Sequence, residues 1–279
     1  MELSVAIPAS LVSDVPHLRE KTSRLGMVGR ALAIFRVSEV IVYPDRSLDN
    51  QRHEAELISN ILRYMEAPQY LRKHLFPIMP ALRYASILPP LRTPNHPLTK
   101  RISELKTGDY RDGVIVKTGK ETLVDIGVEH PIRLNEGNLS FGQRITVIIH
   151  KHKLNITIKR VEPSEINKLY WGYRVTISNL TIGKILKDNI RDFVVLTSKY
   201  GKLLTEVAKE FKSRCRKADK ILIAFGSPKQ GLREILKSEG YEMDDMDALV
   251  INAVPKQGTE TVRTEEAVYA TLAIMNIII

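Results

Sequence analysis

The chain has 279 residues, 43% of them hydrophobic and 27% charged, with a net charge of +10 and a pI near 9.6. That length allows one large domain or two modest ones, and the composition is that of a folded protein, not a disordered one. No run approaches the roughly 18–20 apolar residues of a membrane span, and the lone Cys215 allows no internal disulfide, which suits a reducing cytoplasm.

The positive charge is spread along the chain, at +3, +4 and +3 for residues 1–97, 98–163 and 164–279. An excess carried by folded segments and not by a basic tail points to a long anionic partner, with RNA the natural candidate. Surface ion pairing in a thermally stable protein is the alternative. The start, MELSVAIPASLVSD, has no basic residues ahead of its apolar part, so a secretory signal is not expected.

Residues 2–8 read as a first strand and 15–37 as a helix, with Leu18, Leu25, Val28, Leu32 and Phe35 at helical spacing. Gly26 and Gly29 weaken that helix and mark either a break or a close backbone approach. Glu39–Tyr43 is a second strand, so strand, helix and strand suggest a parallel βαβ unit. A helix over 50–65 follows, then a short one from Gln69 to Leu75. Six prolines between 76 and 98 preclude regular structure there and mark a crossing between domains.

Residues 99–162 change character. Five short strands are predicted, at 110–117, 121–126, 130–134, 143–151 and 154–160, separated by Gly, Asn and Asp turns, which fits a small OB-type barrel. Lys117, Lys120, Arg133, Arg144, Lys151, Lys153 and Lys159 could form a basic nucleic-acid face on it, through phosphate contacts since aromatics are few. His150 and His152 lack Cys or acidic partners, so no metal site is expected.

From residue 163 the α/β pattern resumes, with strands at 174–178 and 193–197, a helix at 203–214, a strand at 221–225 and a helix at 232–237. Two apolar runs, Ile221–Phe225 and Ala248–Val254, each enter a turn that contains Pro-Lys-Gln-Gly, at 228–231 and 255–258. A glycine-bearing turn at the carboxyl end of a buried strand is where an open α/β sheet holds its ligand. The second turn flows into Thr259–Glu266, a cluster of hydroxyls, carboxylates and a guanidinium. Ordinary strand–helix connections remain the alternative, although Arg263 is costly near a buried strand end without a partner. The acidic turn Asp244-Asp245-x-Asp247 lacks the pattern of a calcium loop. The last helix, 265–279, ends in IMNIII and needs a core or a homodimer interface to cover it.

QGTETVRTEEA, residues 257–267, resembles the third knot motif of the SPOUT (class IV, α/β-knot) methyltransferases, and FGSPKQGL, 225–232, resembles a second knot loop. Nearly the whole chain is similar to their RNA uridine methyltransferase family with an OB-fold insertion; ILPPLRTPNHP, 87–97, resembles its crossing into the inserted domain. The resemblance implies a trefoil-knotted, mostly parallel sheet flanked by helices (1–92 and 164–279), with an inserted OB-like RNA-binding barrel (93–163).

It also implies an enzyme that methylates a uridine at N3 in ribosomal RNA with S-adenosylmethionine, working as a homodimer through the knot region and C-terminal helix. Backbone groups of the knot loops would hold the cofactor: Ala224 and Gly226 in one, Ile251, Asn252, Val254 and Pro255 in the next. Gly258, Thr259, Thr261 and Ala267 would close the site. Arg263 would stabilise charge on the uracil, with Glu260 or Glu265 orienting it or acting as base. Arg24 and Arg30 on the first helix would face RNA, beside Lys117, Arg133 and Arg144 of the barrel. Lys256 departs from relatives that carry a smaller or neutral residue. A non-catalytic RNA-binding or ribosome-assembly factor is the other reading. A dinucleotide-dependent dehydrogenase is disfavoured, because no G-x-G-x-x-G follows the first strand.

Overall fold

The computed structural model describes residues 2–46, 48–152, 155–162, 165–166, 169–188 and 190–278. The described chain forms two compact units. One comprises residues 1–63, 81–89 and 173–279, and the other residues 64–80 and 90–172.

The first unit is built on a six-stranded sheet. Its strands are β1 (Glu2–Pro8), β2 (Glu39–Tyr43), β8 (Arg174–Ile177), β9 (Phe193–Leu203), β10 (Lys220–Ala224) and β11 (Leu249–Asn252). The order is β11-β9-β10-β1-β2-β8, and every neighbouring pair is parallel. Period-two alternation sends Ala6, Tyr43, Leu196, Leu222 and Ala224 to one face, where Leu232, Ile235 and Leu236 cover them. Val5, Ile7, Val40, Val42, Val195, Ile221 and Ile223 alternate with that row and are fully buried as well. Burial on both faces is why these segments read as continuous apolar runs and not as alternating ones.

The helices of this unit are α1 (Leu18–Ile34), α2 (Leu48–Glu66, which runs on into the second unit), α4 (Ile182–Lys187), α5 (Ala208–Lys217), α6 (Leu232–Ser238) and α7 (Thr264–Ile278). α1 packs along α7, and Phe35 meets Tyr269 edge to face at 6.4 Å. α1 is unbroken. Its Gly26 marks a close approach, since a Cβ there would stand 3.0 Å from Cδ of Pro89 and 3.2 Å from Cδ2 of Leu88.

β9 departs from expectation. Read from sequence it stops at Thr197 and a helix starts at 203, but the strand runs to Leu203 and α5 begins only at Ala208. Its pairing with β11 jumps: Val250 pairs with Leu196, and the next residue, Ile251, pairs with Lys202. Residues 197–201 therefore leave the ladder and return to it. The polar, glycine-bearing stretch Ser198–Gly201 looks like a strand end, and a resumed pairing leaves no periodic signal.

The second unit holds α3 (Arg72–Leu75) and a closed barrel of β3 (Tyr110–Lys117), β4 (Thr122–Asp125), β5 (Ile132–Leu134), β6 (Arg144–His152) and β7 (Asn155–Val161), in the order β3-β4-β5-β7-β6. Leu105, Ile115, Val124, Ile126, Val147 and Ile149 fill its interior. The strands fall within one or two residues of the expected positions. The expected start of the last strand at 154, Lys153 and the 163/164 boundary lie outside the described residues. The proline-rich segment contains only single 3-10 turns, at Pro80–Leu82 and Ala85–Ile87.

A polar network closes one side of the barrel. Arg144 donates to both oxygens of Glu66, at 2.6 and 2.8 Å, and to Asp112 at 2.6 Å. Asp112 also accepts from Thr146 and from the Trp171 indole, while Asn95 donates to Glu66. Burial opposes the Arg144 charge, but the two carboxylates outweigh it and hold the guanidinium above its ordinary value. Arg144, expected on the nucleic-acid face, spends its guanidinium on these two carboxylates while its side chain stays 29% exposed.

Candidate active site

β10 and β11 flank β9 in the sheet, so their carboxyl ends open side by side. Leu196 of β9 stands level with both Ala224 and Val250. From Ala224 the chain turns through Phe225–Gly231 into α6, and from Asn252 it turns through residues 253–263 into α7. Between these turns and the excursion of β9 lies a cleft of about 390 Å³, inside the 300–1,000 Å³ range of small-molecule sites.

Hydrogen bonds fix its three walls to one another. The Thr264 hydroxyl donates to the Gly226 carbonyl at 3.1 Å, tying the second turn to the first. Thr197 donates to the Ala224 carbonyl at 2.9 Å, and the Asn252 amide donates to the Lys199 carbonyl at 2.9 Å. The Val254 N–H in turn donates to Asn252 Oδ1 at 2.9 Å. Beneath the first turn, the buried Tyr43 hydroxyl donates to the Phe225 carbonyl at 2.6 Å. Burial pushes that phenol well above its ordinary pKa, so it remains a donor. Gln257 braces the second turn from within through the Thr259 and Glu260 carbonyls.

The lining is amphipathic. Phe225, Ile251, Ala253, Val254, Val262 and Ala267 supply apolar wall; Thr197, Ser198 and Thr271 supply hydroxyls; Lys199, Arg233, Glu234 and Glu260 supply charge of both signs. Gly226 and Gly231 are in the lining, and at a glycine the only hydrogen-bonding groups are backbone ones, which carry no side-chain signature.

Of the residues expected at the cofactor, Gly226, Ile251, Asn252, Val254, Thr261 and Ala267 line the cleft, and so does Glu260. Ala224 is buried below it. Pro255, Gly258 and Thr259 belong to the second turn without lining the cavity. Arg263 also sits outside the lining: it is the exposed residue just before α7, and its N–H donates to Glu266 Oε2 at 3.0 Å, a helix-capping contact. Glu265 turns away toward α1, where its Oε1 is 3.5 Å from the Arg24 Nε.

Of the residues expected at RNA, Arg24 pairs with Asp14 at 2.8 Å as well as with Glu265. Arg30 lies half-buried on α1, Lys117 is exposed and paired with Glu121 at 2.6 Å, and Arg133 is exposed on β5. Sequence reasoning missed the whole β9 wall, Thr197–Tyr200, together with Phe225, Arg233 and Thr271. The clue for the first was available: Thr-Ser-Lys-Tyr follows an apolar strand at its carboxyl end, where an open sheet puts its ligands. Among the described residues no group of three or more His, Cys, Asp or Glu is placed to hold a metal ion. Among the same residues no helix is long and apolar enough to cross a membrane.

Fold and cleft together define an α/β protein with an open cleft where the ends of parallel strands meet, joined in one chain to a five-stranded barrel. Residues 2–275 match the family described as "Putative RNA methyltransferase", and the chain belongs to that family of methyltransferases acting on RNA. It is 32% identical over 289 residues to an uncharacterized protein of Halobacterium salinarum, covering 98% of each chain. It is 30% identical over 298 residues to the 28S rRNA (uridine-N(3))-methyltransferase of Mus musculus, covering 97% of this chain and 75% of that one. Against the protein of that name from Homo sapiens the identity is 29%, over 97% and 77%.

Proposed function

We propose that the chain transfers a methyl group from S-adenosylmethionine to N3 of a uridine in ribosomal RNA, with the cofactor held in the β9–β10–β11 cleft. The observation that carries this reading is the seam between the two turns, where Thr264 bonds Gly226 and residues of both turns border one cavity. The relatives named for uridine-N3 methylation supply the acceptor atom.

The cleft suits this cofactor chemically. Phe225, Ile251 and Val254 offer apolar surface to an adenine ring, with neighbouring backbone groups for its polar edge. Lys199 and Arg233, with Glu234 and Glu260, offer both signs of charge to an amino-acid end that is itself a zwitterion. When bound, S-adenosylmethionine supplies an electrophilic methyl group and leaves as a neutral thioether.

The protein's own residues position the acceptor and manage its charge. Uridine N3 carries a proton that must leave before or as the nitrogen attacks, and the Glu260 carboxylate, on the cleft wall, is the group proposed to accept it. The charge that then develops on the uracil carbonyls calls for a donor that stays cationic. Arg263 stands three residues from Glu260 on the same turn, and we assign that role to its guanidinium.

The wider features fit the same reading. The closed barrel, with order β3-β4-β5-β7-β6 and β5 parallel to β7, supports reading residues about 93–163 as an OB-type RNA-binding insertion. The parallel sheet with its cleft between β10 and β11 supports the α/β-knot class. Met27 and Ile34 on α1 and Ile277 on α7 are exposed apolar side chains suited to a homodimer interface. A reducing cytoplasm is the proposed setting. There the Cys215 thiol, pushed up to about 11 by burial, stays protonated and inert.

The test is mass-spectrometric mapping of ribosomal RNA from cells lacking the gene, before and after incubation with the purified chain and S-adenosylmethionine. A single uridine that loses its N3 methyl group in the deletion and regains it in vitro is the expected result. RNA unchanged in both would leave the non-catalytic RNA-binding role instead.

A further inference from the structure

Tyr200 is 75% exposed, and among the described residues only Phe141, on the barrel, is an aromatic side chain comparably open. A large ring left in water forgoes the stabilisation that burial would bring, so its placement calls for an account.

The backbone beneath this ring is pinned on both sides. Asn252 donates to the Lys199 carbonyl at 2.9 Å, and the Tyr200 N–H donates to Ser198 Oγ at 3.2 Å. Gly201 lies so close to β11 that a Cβ there would fall 2.5 Å from the Ile251 carbonyl carbon. The segment is thus held in register by its neighbour, and a ligand that meets the ring need not order it first.

Position and charge narrow the ligand. Tyr200 lines the proposed cofactor cleft and also a second cavity of about 340 Å³, whose walls carry Lys202 together with Arg214, Arg233, Glu210 and Asp244, the two arginines being paired with Asp247 and Asp244. The Lys199 ammonium is 5.1 Å from the ring centroid. An open ring beside the Lys199 and Lys202 ammonium groups, at the edge of the cleft proposed to hold the methyl donor, matches a flat base carried on a phosphate backbone.

We propose that Tyr200 is the platform on which the acceptor nucleobase stacks, with Lys199 and Lys202 meeting the flanking phosphates. This rests on the methyltransferase reading of the neighbouring cleft and adds the residue that presents the base to it.

Three readouts on the full-length chain separate this proposal from the reading beneath it. The probes are a fluorescently labelled oligouridylate, S-adenosylmethionine, and ribosomal RNA from cells lacking the gene. Tyr200→Ala is expected to bind the oligouridylate about 5- to 100-fold more weakly, the range of one lost base stack. It is expected to raise KM for the RNA by a similar factor, and to weaken S-adenosylmethionine binding by less than it weakens oligouridylate binding, since Tyr200 also lines the cleft. Tyr200→Phe keeps the ring face and is expected to stay within about threefold of wild type in all three. An alanine variant that binds the oligouridylate as wild type does, or a phenylalanine variant as defective as alanine, would overturn the stacking role. A wild-type chain that binds no S-adenosylmethionine would overturn the cleft reading, while the oligouridylate comparison still decides Tyr200.

Discussion

Glu265 sets its Oε1 3.5 Å from the Arg24 Nε, while its Oε2 is buried with no hydrogen-bond partner among the described residues. Burial raises the Glu265 carboxyl above its ordinary pKa, with the Arg24 cation pulling the other way. A carboxyl raised in the folded state contributes stability below its unfolded pKa and loses that contribution as pH rises through the folded value. Glu265→Gln is therefore expected to gain on wild type over the window that opens at the ordinary carboxyl value of 4.5 and extends upward in pH. Melting temperatures of both proteins across that window check it; a difference that does not change with pH contradicts the assignment.

Arg144 is the hinge of the barrel network, since Glu66 and Asp112 have no other cation within its reach among the described ion pairs. Removing one partner of a buried ionic cluster leaves uncompensated charge and typically costs about 3–5 kcal/mol. Arg144→Met is expected to lose that much in urea unfolding. Lys117→Met, which removes a solvent-screened pair with the half-exposed Glu121, is expected to cost only a small fraction of that.

Arg263 carries the proposed catalytic charge from an exposed position beside the cleft. Arg263→Ala is expected to lower kcat by about 100-fold or more while S-adenosylmethionine affinity stays within about tenfold, as for loss of one charge-stabilising donor. Steady-state kinetics with RNA, paired with a cofactor titration, measure both quantities. An active variant removes Arg263 from the chemistry.

Lys256 adopts φ 54°, in the left-handed region that favours glycine. Its side chain is exposed and lies outside the cleft lining. Strain of roughly 1 kcal/mol is relieved by glycine, partly offset by the freer unfolded chain, so Lys256→Gly is expected to be neutral or to stabilise by up to about 0.5–1 kcal/mol. Thermal melts decide, and a clear loss of stability would show that Lys256 makes a contact worth more than the strain.

The sequence made the sheet legible because strands buried on both faces leave unbroken apolar runs, and the barrel legible because its strands are short and punctuated by turn residues. It made part of the cleft legible through the glycine-bearing turns after Phe225 and Val254. The β9 wall was hidden, because a strand that leaves its ladder at Thr197 and rejoins it at Lys202 has no periodicity of its own. The fate of the arginines was hidden for a different reason. Composition counts Arg24 and Arg144 as free positive charge, and only long-range pairing reveals that Asp14, Glu265, Glu66 and Asp112 consume it.

Calorimetric titration of S-adenosylmethionine into the wild-type chain and into Ala267→Phe, which places a ring in the cleft, tests the central claim most directly. One site per chain in wild type, and its loss in a variant whose melting temperature is retained, is the expected result. No heat of binding in wild type, or undiminished binding in the variant, would contradict a cofactor site between the β10 and β11 turns.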